Sequence, residues 1–129
     1  MNGYRRWLVT GLSAMLLAVG LGAAPAAVAD VGAAATCTHP DWSNKDSGTG
    51  GLREGLSRAA LRTGPNEGCP LVSGEYAYFH NDIYYHCYVR NSAGNTWTHV
   101  RAYNRFDNKS INGWIWDGNL NNAGALTYC

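Results

Sequence analysis

Cys37, Cys69, Cys87 and Cys129 are separated by tens of residues, and this spacing limits the folds open to the chain more than any other feature. Metal thiolate sites draw their ligands from close pairs such as C-x-x-C, so four widely spaced cysteines read as two disulfides. Four cysteines allow three pairings, and their positions alone leave all three open. Disulfides persist in oxidising compartments, so the reading implies a protein that leaves the cytoplasm.

The N-terminal sequence agrees. Arg5 and Arg6 precede an apolar run from Trp7 to about Leu21, followed by small residues, which is the layout of a secretory signal peptide. The run is shorter than the roughly 20 residues that span a bilayer, and Gly11 and Gly20 interrupt it. Residues 1–29 are therefore expected to be a signal peptide, cut after Ala27-Val28-Ala29 or as late as residue 35, after Ala33-Ala34-Ala35. The residues around the paired arginines match a twin-arginine signal poorly, so the general secretory route is expected. The chain has ten Lys and Arg against nine Asp and Glu; losing Arg5 and Arg6 leaves eight against nine. A near-neutral exported domain lacks the basic field that nucleic acid or an anionic membrane surface would need. After cleavage about 100 residues remain, enough for one modest core reinforced by its bridges.

Residues 30–58 are rich in turn formers and read as an irregular arm tethered by Cys37. Leu52, Leu56 and Ala60 fall at helical spacing, but Gly51, Gly55 and Gly64-Pro65 break such a helix, so strand and turn are expected. From Leu71 onward short aromatic and β-branched runs alternate with Gly, Asn, Asp and Ser clusters. LVSGEYAYF, DIYYHCYV, TWTHVRAY and NGWIWDGNL are the candidate strands, and residues 59–129 are assigned to a small all-β sandwich or barrel.

Side chains alternate across a strand, so one assignment fixes its neighbours. With Cys87 inward, Ile83, Tyr85 and Val89 face the core, while Tyr84, His86, Tyr88 and Arg90 face out. With Val100 inward, Thr96, Thr98 and Ala102 follow it, and Trp97, His99, Arg101 and Tyr103 face out. A four-residue loop Ser92–Asn95 would set Cys87 opposite Val100, in agreement with both assignments. Ile115 inward leaves Trp114 and Trp116 outside, so the outer face is expected to carry an aromatic platform, either open for binding or covered by the N-terminal arm.

Three stretches carry a resemblance. Leu61-Arg62-Thr63-Gly64-Pro65-Asn66, then Gly94-Asn95-Thr96-Trp97 with Val100, then Gly113-Trp114-Ile115, resemble the opening strand and turn, the central strand and the closing strand of bacterial SH3-like (SH3b) domains. With Cys69 and Cys87 added, the chain is similar to the small exported versions made by streptomycetes and related actinobacteria. The match spans about residues 59–120. It implies an SH3-like β-barrel of about five to six strands, with an aromatic groove between loops that binds cell-wall peptide or another peptide without catalysis. Relatives that act on cell walls usually carry such a module beside a hydrolase domain, and no such domain is read in this sequence. The resemblance also implies a Cys69–Cys87 bridge, leaving Cys37 to Cys129.

Catalytic chemistry finds little support. The cysteines are expected to be oxidised, and no serine sits in a G-x-S-x-G or S-x-x-K setting. Glu54, Glu67, Glu75, Asp82, Asp107 and Asp117 are read as solvated loop acids rather than a glycosidase pair. On an unbroken strand His80 and His86 would stand about 20 Å apart, too far to share a metal with Asp82. Asn108-Lys109-Ser110 matches a glycosylation acceptor, relevant only in a host with that machinery. The expected function is a secreted, extracellular binding domain with no cofactor, no metal and no catalytic residue. Its partner is cell-wall peptide or peptidoglycan, or alternatively a secreted or surface protein that it inhibits or signals to; a small cell-wall hydrolase is the least favoured alternative. Stacking is expected on Tyr84, Tyr88, Trp97, Trp114 and Trp116, with hydrogen bonds from Arg90, His99 and Arg101.

Overall fold

A computed structural model describes Cys37 and residues 41–129. The expected signal peptide and both cleavage positions lie outside the described residues. Six antiparallel strands, β1 (Thr49–Gly50), β2 (Arg58–Arg62), β3 (Leu71–Tyr78), β4 (Asp82–Arg90), β5 (Thr96–Asn104) and β6 (Lys109–Trp116), form one sheet in the order β1-β4-β5-β6-β2-β3. A single 3-10 turn, η1 (Asp117–Asn119), follows β6. The all-β expectation and the number of strands hold. Strand and turn occupy the glycine-broken stretch before Arg62, as its Gly and Pro content predicts.

Connectivity forces the sheet to curl. Only residues 79–81 join β3 to β4, a reach of about 14 Å. In a flat sheet these strands would lie four spacings apart, about 19 Å. Coiling brings the ends of the sheet together without closing it, because β3 and β4 do not pair. Inside the curl, Leu61, Ala77, Ile83, Tyr85, Val100, Ala102 and Ile115 form the main core. The supposed arm takes part: Leu52 is buried in this core, and Thr49 and Gly50 pair with Tyr84 and Ile83.

The expected register between β4 and β5 is corrected in two places. Asn91 N–H donates to the Asn95 carbonyl, Gly94 N–H donates to the Asn91 carbonyl, and Gly94 has φ 82°. That geometry closes a three-residue loop, Ser92–Gly94, rather than the four-residue loop expected. Arg90 then pairs with Thr96 and Cys87 with His99. A bulge at His86 slips the ladder again, so Tyr85 pairs with Val100. One extra residue flips the facing of everything beyond it. Ile83 and Tyr85 therefore face the core as expected, whereas Cys87 and Val89 lie on the outer face, and Tyr88 packs against the main core instead.

That flip explains the disulfides, which join Cys37 to Cys69 and Cys87 to Cys129 and so overturn the pairing that the resemblance implies. The C-terminal tail runs beside β4, where Tyr88 N–H donates to Thr127 and Cys129 N–H donates to Tyr88, both at 2.9 Å. Cys129 thus reaches the outward-facing Cys87, with Cα atoms 4.9 Å apart. Two disulfides fit an oxidising, extracellular environment. Among the described residues no helix is long and apolar enough to cross a membrane.

Candidate functional site

The outer face of β4, β5 and β6 carries Tyr84, Trp97, Trp114 and Trp116 of the predicted aromatics, but half of it is covered. Val89, Trp97 and Trp114 form a second buried cluster, against which Trp42 and Cys129 pack. The Trp42 ring stacks on His99 at 3.8 Å and on His86 at 4.7 Å between centroids. Beneath it the Nδ1 atoms of His86 and His99 lie 2.8 Å apart, within hydrogen-bonding distance, and Trp114 meets His99 edge-on. Burial, followed by the nearby Arg101 charge, holds His86 below the usual histidine range. Trp114, at 1% exposure, and His99 are therefore buried and form no part of an open platform.

The cover is anchored by polar contacts. Backbone N–H groups of Lys45 and Asp46 both donate to the His86 carbonyl at 2.9 Å, satisfying the bulged residue. The Asp46 carboxylate accepts from Gly48 N–H, Leu126 N–H and Thr127 N–H, joining arm to tail. Burial alone would raise its pKa, but these donors outweigh it and hold the carboxyl below its ordinary value. Lys45 Nζ donates to the Cys129 carbonyl.

The remaining predicted residues scatter. Tyr84 lies under the Arg101 guanidinium, 4.5 Å from ring centroid to Cζ, and both border a shallow depression beside Asp46 and His86. Tyr88 meets Tyr128 edge-on near the tail, and Arg90 is exposed. His80 stands in a turn among Tyr78, Phe79 and Phe106, Asp82 pairs with Arg105, and His86 is buried, so these three do not converge. Among the described residues no group of three His, Cys, Asp or Glu side chains is placed to hold a metal.

The open half of the outer face ends in a cleft of about 290 Å³. Trp97 and Trp116, directly opposite in the β5–β6 ladder, form one wall. Ala60 and Arg62 come from β2, Asn119 from η1, and Asn66, Glu67, Asn91 and Asn95 from two loops. Those loops are fastened together, since Asn91 Nδ2 donates to the Pro65 carbonyl at 3.1 Å. Arg62 Nη1 donates to the Cys69 carbonyl at 2.7 Å, next to the Cys37–Cys69 bridge. Trp116 is 42% exposed, and its ring lies over Gly118, where an added Cβ would fall 2.5 Å from the indole. Trp97 is only 4% exposed, and its indole N–H has no acceptor among the described residues.

Of the residues expected to bind, Trp97 and Trp116 are the ones that line this cleft. Sequence reasoning missed its amides, which read as turn formers, and it missed Trp42, a single aromatic in a polar arm. The cleft holds one carboxylate, Glu67, so its lining lacks the acid pair of a glycosidase. No protein-family model, curated protein or solved structure matches the chain.

Proposed function

We propose that the protein is a secreted, non-catalytic binding domain of SH3-like type that holds cell-wall material in the cleft beside Trp116. One observation carries this reading. Two of the stretches that resemble SH3b domains, far apart in sequence, meet in the cleft, Arg62 and Asn66 from the first and Asn95 and Trp97 from the second, and Trp116 follows directly after the third. Concave sites with aromatic walls and a few fixed polar groups are where small ligands bind. The two disulfides suit a domain that works outside the cell.

Sedimentation with isolated cell walls tests the reading. The mature wild-type protein is expected to pellet with walls and a Trp116→Ala variant to stay in solution. Equal behaviour of the two would sink the cleft as the wall-binding site.

A second reading, a secreted inhibitor or signalling protein, is favoured by a different feature. Phe79 and Phe106, 70% and 81% exposed, flank His80 at the opposite end of the β4–β5 hairpin from the cleft. Exposed apolar groups gathered in this way mark protein contacts more often than chance. Pull-down from culture supernatant should then recover a protein with wild type but not with a Phe79→Ser, Phe106→Ser variant. Recovery of wall fragments alone counts against it.

A further inference from the structure

We infer that the cleft recognises the glycan rather than the peptide of its ligand, taking a neutral sugar ring onto the exposed face of Trp116; this rests on the binding function proposed above. Four features select that chemistry. Arg62 and Glu67 give the lining one charge of each sign, so it offers no net attraction to the carboxylates of a wall peptide.

A proline-rich helix would need several aromatic ridges, but Trp97 is nearly buried and only Trp116 presents a ring. A single indole held flat over Gly118 matches one pyranose, whose C–H face is apolar and whose rim is hydroxylated. Around that ring, the side chains of Asn95 and Asn119 make no hydrogen bond within the described protein, and Asn66 accepts from Gly68 N–H but leaves its amide protons free. Each carboxamide offers both donors and an acceptor, as a hydroxyl requires. The volume of about 290 Å³ stands at the small end of ligand sites, roughly 300–1,000 Å³, and suits one or two rings rather than a long chain.

The test is a tryptophan-fluorescence titration of the mature, disulfide-bonded protein with a β-1,4-linked N-acetylglucosamine tetramer and, separately, with the tetrapeptide Ala-Glu-Lys-Ala. Saturable binding of the sugar, about tenfold weaker in Trp116→Ala and partly restored in Trp116→Tyr, is expected, with Asn119→Ala weaker than wild type. Near-ultraviolet circular dichroism checks that each variant keeps the native packing. Sugar binding that ignores Trp116, tighter binding of the peptide, or no sugar response while walls still pellet in a Trp116-dependent way overturns the glycan assignment and leaves the cleft reading standing. Loss of both sugar and wall binding overturns the two together.

Discussion

Trp114 and Trp116 lie two residues apart on the same face of β6, yet one is 1% exposed and the other 42%. Trp114 meets His99 under the lid of Trp42, and Trp116 forms the wall of a cleft. Strand parity makes the two equivalent. What separates them is the path of the arm and tail, which cover one end of the outer face and stop short of the other. An aromatic stripe on a small sheet can thus be a second core along half its length and a binding surface along the rest.

The strongest way to break this comparison is Trp114→Ala, which opens a cavity in the covered half. It should cost about 3–5 kcal/mol, read as a lower urea midpoint, whereas Trp116→Ala should change stability by less than about 1 kcal/mol. Equal losses would show the two halves to be one core.

Replacing Cys87 and Cys129 by serine comes next. The bridge closes a loop of sequence separation 42, so its removal should lower stability by about 2–4 kcal/mol and the melting temperature correspondingly. It frees the tail that covers Val89, Trp97 and Trp114, and limited proteolysis should then cut at the tail before the cleft loops.

Acidification probes the covered half through His86. His86 is held neutral in the fold, its pKa lowered by burial and by Arg101, while in the unfolded chain it titrates near 6.5. Below that value the unfolded state binds more protons, so stability should fall as pH drops through the range beneath 6.5 and level off below the folded pKa. Asp117 acts with the opposite sign. Burial raises its pKa against the bonds from Thr98 and Thr96, so its contribution is present in acid and lost as pH rises above the carboxylate range. Unfolding measured against pH in His86→Asn should lose the first slope, and Asp117→Asn the second. A wild-type profile unchanged by His86→Asn would exclude the buried histidine as its source.

Gly118→Ala is the mildest change and addresses the open half. The new Cβ must displace the Trp116 ring, which is free to swing toward solvent, so stability should shift by under about 1 kcal/mol while sugar affinity drops. Unaltered affinity would mean that the ring orientation over Gly118 is not what the ligand uses.

Much of this was legible in the residues. Alternation in NGWIWDGNL correctly put Ile115 in the core and Trp114 and Trp116 outside, because a β-strand has no other way to sort neighbours. Val100, Thr98 and Ala102 followed the same rule. Cys87 did not, since a Gly94 turn one residue shorter and a bulge at His86 each moved the register by one. Neither leaves a mark in composition, and parity magnifies a one-residue error into a wrong face. The amides of the cleft were equally hidden, because Asn at a loop looks the same whether it caps a turn, as Asn91 does for Asn95 N–H, or waits for a ligand.

By itself the sequence determined the class of structure: hydrophobic alternation and turn residues dictate an all-β chain, and its even set of cysteines is fully bridged among the described residues. Those are local properties, set by backbone sterics and by the number of thiols. Which cysteines meet, which tryptophan is covered and where a cleft remains were decided by tertiary structure. Each depends on segments distant in the chain arriving at the same face, as Trp42 arrives over His99 and Cys129 beside Cys87. Nothing in a short stretch of sequence encodes such a meeting, because its free energy belongs to the pair and not to either segment.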